Sequence, residues 1–221
     1  MERIPGREHG VGRNLDQIDE MLAIAASSSA TRVEFANVQY YGYALANRDH
    51  LLPTRPQLDR FLEQMKSAQE RLRGKIRVEY VVPDYYAKFP KPCMGGWGRK
   101  LMLITPNGDA LPCHAARVIP NLSFENVKDR SLKEIWANSE AFQKFRGESW
   151  MQEPCKSCDR RAQDFGGCRC QAMLLAGDSA ATDPVCSLSP QRSKIDAILA
   201  ETNSAPAPQQ SPRWLYRPNP L

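Results

Sequence analysis

The sequence PCKSCDRRAQDFGGCRCQAMLLAGDSAATDPVC, residues 154–186, contains most of the cysteines of this chain. They are Cys155, Cys158, Cys168, Cys170 and Cys186. The first two form a CxxC pair, and two intervening residues let one turn of backbone direct both sulfurs to one metal centre. The next two form a CxC pair, whose side chains share a face if the chain there is extended. These paired cysteines predict a metal-binding domain.

Two further cysteines, Cys93 and Cys113, lie upstream around a predicted β-hairpin. Cys93 begins the glycine-rich segment CMGGWG, residues 93–98, in which the backbone can approach another group closely. Residues 100–113 predict two short strands joined by an Asn-Gly turn. Six of the seven cysteines therefore lie in pairs or as hairpin mates, and Cys186 follows them.

The length and composition predict a globular, cytoplasmic protein. The chain has 221 residues and 42% hydrophobic content, enough for one ordinary domain or two small ones. Its first residues, MERIPGREHGVGR, lack the apolar region of a signal peptide, and no run of about 18 apolar residues could span a membrane. An odd number of cysteines, seven, fits reduced metal-bound thiols better than disulfides. The net charge of +5 is modest, and basic residues are not interleaved with aromatics as in nucleic-acid-binding proteins.

The first part of the chain predicts alternating helices and strands. Residues 1–13 show no periodicity and are expected to be an unstructured start. The elements that follow are a helix opened by Asn14, a strand at 31–38, a tyrosine-rich loop at 39–50, a helix begun by Thr54 with Gln57 in a capping box, and a strand at 75–83. This order is typical of a parallel α/β fold, and two such units cannot close a barrel. We therefore predict that residues 14–89 are the C-terminal strands and helices of a partial TIM-like barrel.

Short elements around the cysteines predict a separate small α+β domain at residues 90–190. Within it, residues 131–146 predict one amphipathic helix that starts with a capping box. Residues 191–221 are expected to form the rest of a short helix that begins at Pro190, followed by a disordered tail. The end of the chain is rich in proline and polar residues, a composition typical of disorder.

The cysteine spacing resembles the SPASM domain, the auxiliary iron–sulfur domain that follows the barrel of many radical S-adenosylmethionine (SAM) enzymes. Cys93, fourteen residues, Gly108, four residues and Cys113 are similar to its opening. Its second half has the pattern C-x2-C-x5-C-x3-C and a final cysteine. The cysteines that match this half are Cys155, Cys158, Cys168 and Cys186. The remaining position holds Asp164, whose carboxylate oxygen can ligate iron.

The resemblance implies two four-ligand iron–sulfur clusters, of the 4Fe–4S or 2Fe–2S type, because seven cysteines and one aspartate give eight ligands. The ligands implied for the first cluster are Cys93, Cys113, Cys168 and, as the fourth, Cys170. The ligands implied for the second are Cys155, Cys158, Asp164 and Cys186. Basic residues among them could offset the negative charge of thiolate-bound metal: Lys156, Arg160, Arg161 and Arg169.

Within this family the chain resembles the peptide cyclases of pyrroloquinoline quinone (PQQ) biosynthesis. The resemblance rests on VEFANVQYYGYALANR (33–48), VVPDYYAKFPKPCMGGWGR (81–99) and EPCKSCDRRAQDFGGCRCQA (153–172). It implies an oxidoreductase that joins a glutamate and a tyrosine of a precursor peptide by a carbon–carbon bond, after hydrogen abstraction by a 5′-deoxyadenosyl radical. It also implies SAM and a third 4Fe–4S cluster in the full-length enzyme. The implied partners are the precursor peptide, its peptide-binding chaperone and a reductant such as flavodoxin.

The motif that binds the SAM cluster in this family is missing from the sequence. The family needs C-x3-C-x2-C near the N terminus, whereas Cys93 is the first cysteine here. We therefore expect a C-terminal fragment of the enzyme or a truncated relative. We expect this chain alone to be inactive, without catalytic or SAM-binding residues of its own.

Two other functions remain open from the sequence. The chain could be a remnant of a different SPASM enzyme, such as a thioether-forming peptide maturase or a sulfatase-maturing enzyme. The same cysteine pairs also fit a non-catalytic zinc-binding module. Asp164 could then be a surface carboxylate beside Arg160 and Arg161, and His114 a solvated neighbour of Cys113.

The roles of several aromatic residues are also open at this stage. Trp97 could pack on a cluster or in an ordinary core, and Trp214-Leu215-Tyr216 could dock a partner or belong to the disordered tail. The tyrosines that could either pack or face a substrate are Tyr40, Tyr41, Tyr43, Tyr85 and Tyr86.

Overall fold

The computed structural model describes the backbone of Gly6–Gly10 and residues 14–204 and 214–216. Most of the predicted unstructured start and most of the predicted tail therefore lie outside the described residues. The chain divides into two units, residues 1–86 with 197–221, and residues 87–196. None of the helices in the described ranges combines the length and the apolar character needed to cross a lipid bilayer.

The first unit contains a parallel three-stranded sheet of order β1-β2-β3. The strands are β1 (Gly6–Gly10), β2 (Arg32–Asn37) and β3 (Arg77–Tyr80). Helix α1 (Ile18–Ser27) connects the first pair and α4 (Arg55–Arg71) the second, as parallel strands require. The α/β class is confirmed. The partial barrel remains a prediction.

The expectation of an unstructured start is wrong for Gly6–Gly10. This segment pairs in parallel with β2, with Gly6 opposite Val33 and Gly10 opposite Asn37. Its two glycines and charged residues give no strand pattern of their own, so the pairing with β2 defines the strand.

The second predicted helix begins as its capping box indicates. The Thr54 side chain accepts a hydrogen bond from the Gln57 amide, and the Gln57 side chain accepts one from the Thr54 amide. The helix predicted to open at Asn14 begins later, because the Gln17 amide bonds to the Asn14 carbonyl oxygen (3.1 Å) and the Asn14 side chain forms no capping hydrogen bond. A 3-10 turn, Leu15–Gln17, therefore precedes α1.

The tyrosine-rich loop predicted at 39–50 contains two single-turn helices, α2 (Tyr43–Ala46) and α3 (Arg48–Leu51).

The first unit has its own apolar core between the sheet and the helices. The buried residues of this core are Leu15, Ile18, Leu22, Val33, Phe35, Leu58, Phe61, Met65, Ala68, Ile76 and Val78.

The second unit contains the predicted hairpin, formed by β4 (Leu103–Ile104) and β5 (Ala110–Leu111). Gly108 in the turn has φ +96° and donates its amide hydrogen to the Thr105 carbonyl oxygen at 2.8 Å. A side chain at this position would be strained and would collide with Asn126, so the turn requires glycine. Cys113 lies two residues after the end of β5.

The single helix predicted at 131–146 is two helices, α5 (Leu132–Asn138) and α6 (Glu140–Gln143). Ser139, which is extended and buried, ends α5 and caps α6 by accepting a hydrogen bond from the Phe142 amide at 3.3 Å. The capping box of Ser131 and Glu134 at the start of α5 is confirmed.

Three further helices lie downstream: α7 (Arg161–Asp164), α8 (Arg169–Ala176) and α9 (Arg192–Ser204). The short helix predicted from Pro190 is α9. Part of the predicted disordered tail is ordered, because the Leu215 amide and carbonyl bond to the Asn47 side chain (2.8 and 2.9 Å). The Trp214 ring also contacts the His50 ring edge-on, with centroids 5.3 Å apart.

Candidate metal centres

Four cysteine side chains meet in the core of the second unit and form a ring of contacts. The thiol of Cys93 contacts those of Cys113 and Cys168, and the thiol of Cys170 contacts the same two. All four are buried and belong to one cluster of apolar side chains. These are the four residues that the SPASM resemblance implies for the first cluster. We call them the thiol ring.

Hydrogen bonds between the thiols of the ring shift the pKa values of its members. The pKa values of Cys113 and Cys168 are lowered, because each accepts hydrogen bonds from the thiols of Cys170 and Cys93. The pKa values of Cys93 and Cys170 are raised, because their protons are held in those hydrogen bonds. The four sulfurs therefore lie within hydrogen-bonding contact of one another, and their thiolate form is the one that binds metal.

Distant parts of the chain supply the thiol ring. Cys93 is the first residue of a 3-10 turn, Cys93–Gly95. Met94, within this turn, has a left-handed backbone conformation with φ +49°. The CxC pair is not the extended segment that we predicted. Cys168 is extended and occupies the N-cap position of α8 without a side-chain capping bond, whereas Cys170 already lies in the first turn of that helix. The sulfurs still meet, because an N-cap and the first helical turn can direct side chains to the same side.

A second group lines a small pocket that is partly open to solvent. It consists of Cys155, Cys158, Asp164 and Cys186. We call it the mixed group, because it combines three thiols with one carboxylate. The CxxC forms the predicted turn, with the Cys158 amide bonded to the Cys155 carbonyl oxygen at 3.2 Å.

Neighbouring polar atoms orient the thiols of the mixed group. The Cys155 sulfur lies 3.3 Å from the Thr182 hydroxyl oxygen, and the Arg160 amide donates to the Cys158 sulfur at 3.4 Å. The pKa values of Cys155 and Cys186 are raised, first because of burial. The charge of Asp164 raises both of them further, which places its carboxyl close to the thiols.

Asp164 is a buried residue and not a surface carboxylate. It ends α7 with 7% of its surface exposed. One carboxylate oxygen accepts from the Gly166 amide at 3.1 Å, and the other lies 3.5 Å from the Arg160 guanidinium. Each oxygen keeps lone-pair capacity beyond these contacts, so the geometry permits ligation.

The described cysteines are all unpaired, in line with the expectation of reduced thiols. Within the described residues, no three His, Cys, Asp or Glu side chains converge in the geometry needed to hold one metal ion. His114 is exposed beside Cys113. The side chains of both groups are therefore close neighbours and not a ready cage for a single ion.

Three of the tyrosines are held as packing residues. Tyr40 and Tyr85 are buried, and the Tyr85 hydroxyl donates to the Tyr40 carbonyl oxygen. The Tyr40 hydroxyl donates to the Leu51 carbonyl oxygen (2.9 Å), and burial raises its pKa. The Tyr86 hydroxyl donates to a backbone carbonyl as well, whereas Tyr43 is exposed.

Trp97 packs in the core around the thiol ring, and its indole N–H donates to a backbone carbonyl.

Asp183 is a site residue that the sequence reasoning missed. Its carboxylate is buried and accepts from the Cys168 amide (2.7 Å), the Gln171 side chain (2.8 Å) and the Val185 amide (3.0 Å). It therefore fixes the backbone at the start of the CxC pair. An aspartate before proline predicts an exposed turn, so no local signal indicates this buried role.

The cysteine-containing region and the fold are similar to those of known proteins. Residues 93–159 match the SPASM family, described as an iron–sulfur cluster-binding domain. A solved structure of SuiB from Streptococcus suis, bound to S-adenosylmethionine, has a similar fold, with a TM-score of 0.62 and 19% identity. The similarity covers 85% of this chain and 45% of that one. The resemblance to the SPASM domain is thus confirmed, and the similarity to SuiB concerns the fold.

The chain is also similar to the PqqA peptide cyclases. It is 54% identical to that of Methylobacterium sp. strain 4-46 over 92% of this chain and 53% of the relative. It is 52% identical to that of Granulibacter bethesdensis and 51% to that of Rhizobium meliloti, in each case over 88% of this chain and 52% of the relative. The chain therefore spans about half the length of the curated relatives it matches.

Proposed function

We propose that this chain is the cluster-binding part of a PqqA peptide cyclase and binds two auxiliary iron–sulfur clusters. The observation that carries this proposal is the thiol ring, in which four cysteines from three distant segments meet in one core. A zinc-binding module would explain the CxxC and CxC pairs equally well. The match to an iron–sulfur cluster-binding domain, which begins at Cys93, supports iron and sulfide.

The donor atoms of both groups fit iron–sulfur clusters. In the proposal the thiol ring holds one cluster with four soft thiolates, the usual ligand set. The mixed group holds the other with three thiolates and the Asp164 carboxylate, next to its pocket. The clusters would exchange single electrons with the reaction, while the chain's own residues bind them and exclude water from the ring.

The proposal extends to the domains and partners. Residues 14–89 would be the last strands and helices of a partial TIM-like barrel, and residues 90–190 the SPASM domain. The substrate would be a precursor peptide in which a glutamate and a tyrosine become joined by a carbon–carbon bond. A peptide-binding chaperone and a reductant of the flavodoxin type would serve as partners. This assignment is supported by the similarity to PqqA peptide cyclases.

Anaerobic reconstitution with iron and sulfide tests the cluster proposal. We expect the purified chain to bind iron and acid-labile sulfide at two sites. Cys113→Ala should abolish one spectroscopic signal and Cys155→Ala the other, since each removes a ligand from a different group. Stoichiometric zinc without acid-labile sulfide would contradict the proposal.

A chimera tests the cyclase assignment. The corresponding half of the Methylobacterium PqqA peptide cyclase is replaced by this chain, which is 54% identical to it. With SAM, reductant, precursor peptide and chaperone, we expect the peptide to lose two hydrogen atoms, one from each carbon that enters the new bond. A chimera that holds its clusters and cleaves SAM but leaves the peptide unmodified would argue for another substrate.

A further inference from the structure

Arg169, the residue between the two cysteines of the CxC pair, has a completely buried cationic side chain. Only 1% of its surface is exposed. Its guanidinium donates hydrogen bonds to backbone carbonyl oxygens and lies 4.7 Å from the centroid of the Trp150 ring. The carbonyls belong to Gly166, Gly167, Ser179 and Ala181.

These four hydrogen bonds engage most of the five N–H groups of Arg169 but do not neutralise its charge. Within the described part of the chain, no carboxylate forms an ion pair with it. The charge of Asp183 acts on Arg169 without an ion pair, because the Asp183 oxygens accept hydrogen bonds from the Cys168 amide, the Gln171 side chain and the Val185 amide. Burial of a cation that forms no ion pair is unfavourable, so its presence calls for a further source of negative charge.

Arg169 is connected to both groups of candidate ligands. On one side, its own backbone joins Cys168 to Cys170 of the thiol ring. On the other side, Gly166 links it to the mixed group, because the Gly166 carbonyl accepts from Arg169 while the Gly166 amide donates to Asp164. The thiols whose charges act on Arg169 come from both groups as well: Cys155, Cys168 and Cys93.

We propose that Arg169 is a shared counter-charge that sets the reduction potentials of both clusters. This inference rests on the proposed function, since thiolate-bound clusters supply the negative charge that the buried guanidinium lacks. A fixed positive charge stabilises the reduced, more negative form of a cluster and therefore raises its potential. Because Arg169 adjoins both groups, it raises both potentials.

The test compares Arg169→Met and Arg169→Lys with the wild-type chain after anaerobic reconstitution. Iron and sulfide content is measured first, and midpoint potentials are then measured by redox titration with electron paramagnetic resonance. We expect both potentials of Arg169→Met to shift to more negative values. Arg169→Lys keeps the charge and should stay close to wild type, although it loses part of the carbonyl network.

Arg146→Met is the matched control. Arg146 is a half-buried arginine of the same unit that also donates to a backbone carbonyl, that of Gly98, and lies 4.9 Å from the centroid of the Trp136 ring. Its pKa is lowered by burial, with no cysteine acting on it. Its removal should leave both potentials unchanged.

Wild-type potentials in loaded Arg169→Met, or a shift of one cluster alone, would overturn the shared role. If Arg169→Met does not load, Arg169→Lys decides. Wild-type loading and potentials in the lysine variant support the charge, whereas its failure to load assigns Arg169 to folding alone and overturns the proposal. Failure of the proposed function itself would show already in the wild-type chain, as a lack of iron and sulfide.

Discussion

Asp164 is the residue at which this chain departs from the all-cysteine pattern of the resembled SPASM domain. Its carboxylate is buried beside the thiols of the mixed group, and one oxygen lies near Arg160. An oxygen donor is harder than a thiolate and forms a more easily displaced bond to iron. The residue would therefore influence both the potential and the lability of the second cluster.

Substitution of Asp164 distinguishes a ligand from a buried ion-pair partner. We expect Asp164→Cys to keep the second cluster and shift its potential, because ligand identity is a principal determinant of the potential. Asp164→Ala should leave three protein ligands and a labile or incomplete site. The measurements are iron content, redox titration and electron paramagnetic resonance.

Asp159→Ala is the control for this series. Asp159 is exposed and directly follows Cys158, too close to complete the same ligand set. Its replacement should leave iron content and potential unchanged. Identical spectra and potentials in wild type, Asp164→Cys and Asp164→Ala would show that Asp164 is no ligand.

Tyr85 permits a test of the packing role assigned to the tyrosines. Tyr85→Phe removes the hydroxyl that donates to the buried Tyr40 carbonyl. Leaving that acceptor without its donor should lower the free energy of unfolding by about 1–3 kcal/mol. Urea unfolding of the chain measures this. Tyr43→Phe, at a side chain that is 47% exposed, should change stability by less than about 0.5 kcal/mol. Equal effects of the two substitutions would contradict the packing role.

At the scale of elements, local signals in the sequence were sufficient where a structure depends on a few neighbouring residues. The capping boxes at Thr54 and Ser131 and the hairpin turn at Gly108 are of this kind. Strand β1 could not be predicted in this way, because its definition comes from pairing with β2 across an intervening helix. The start of α8 inside the CxC pair was missed for a related reason, since Asp183, distant in sequence, fixes the Cys168 backbone.

The break between α5 and α6 gives a prediction at this scale. Ser139 was overlooked because the apolar pattern of 131–146 continues across it, yet its hydroxyl caps α6. Ser139→Ala should therefore lower the free energy of unfolding by about 0.5–2 kcal/mol, as for loss of other N-caps. Chemical denaturation provides the measurement, with the exposed Ser29→Ala as control. A fully neutral Ser139→Ala would mean that the break is maintained by packing alone.

At the scale of the whole molecule, the two units differ in what their cores contain. The first has a core of apolar side chains, whereas the core of the second includes the thiol ring. We expect removal of metal by a chelator to increase amide hydrogen exchange within residues 87–196 and to leave residues 14–86 nearly unchanged. Without metal, four thiols remain buried in the second core with no bound ion to hold them together, which weakens its packing. An equal increase in exchange in both units would contradict this expectation.

The distribution of thiols over the whole chain predicts which step it cannot perform. Reductive cleavage of SAM in the resembled enzymes requires a cluster held by C-x3-C-x2-C, in which one iron remains free for SAM. All seven cysteines of this sequence are already assigned to the thiol ring and the mixed group, and none precedes Cys93. The reconstituted 221-residue polypeptide, given SAM and a strong reductant, should therefore release no 5′-deoxyadenosine above a protein-free background.

Chromatography with mass spectrometry measures the nucleoside, and a full-length PqqA peptide cyclase under the same conditions is the positive control. Robust release by the polypeptide would require one of the two proposed clusters to have a free iron, and the assignment of four ligands to that cluster would then be wrong.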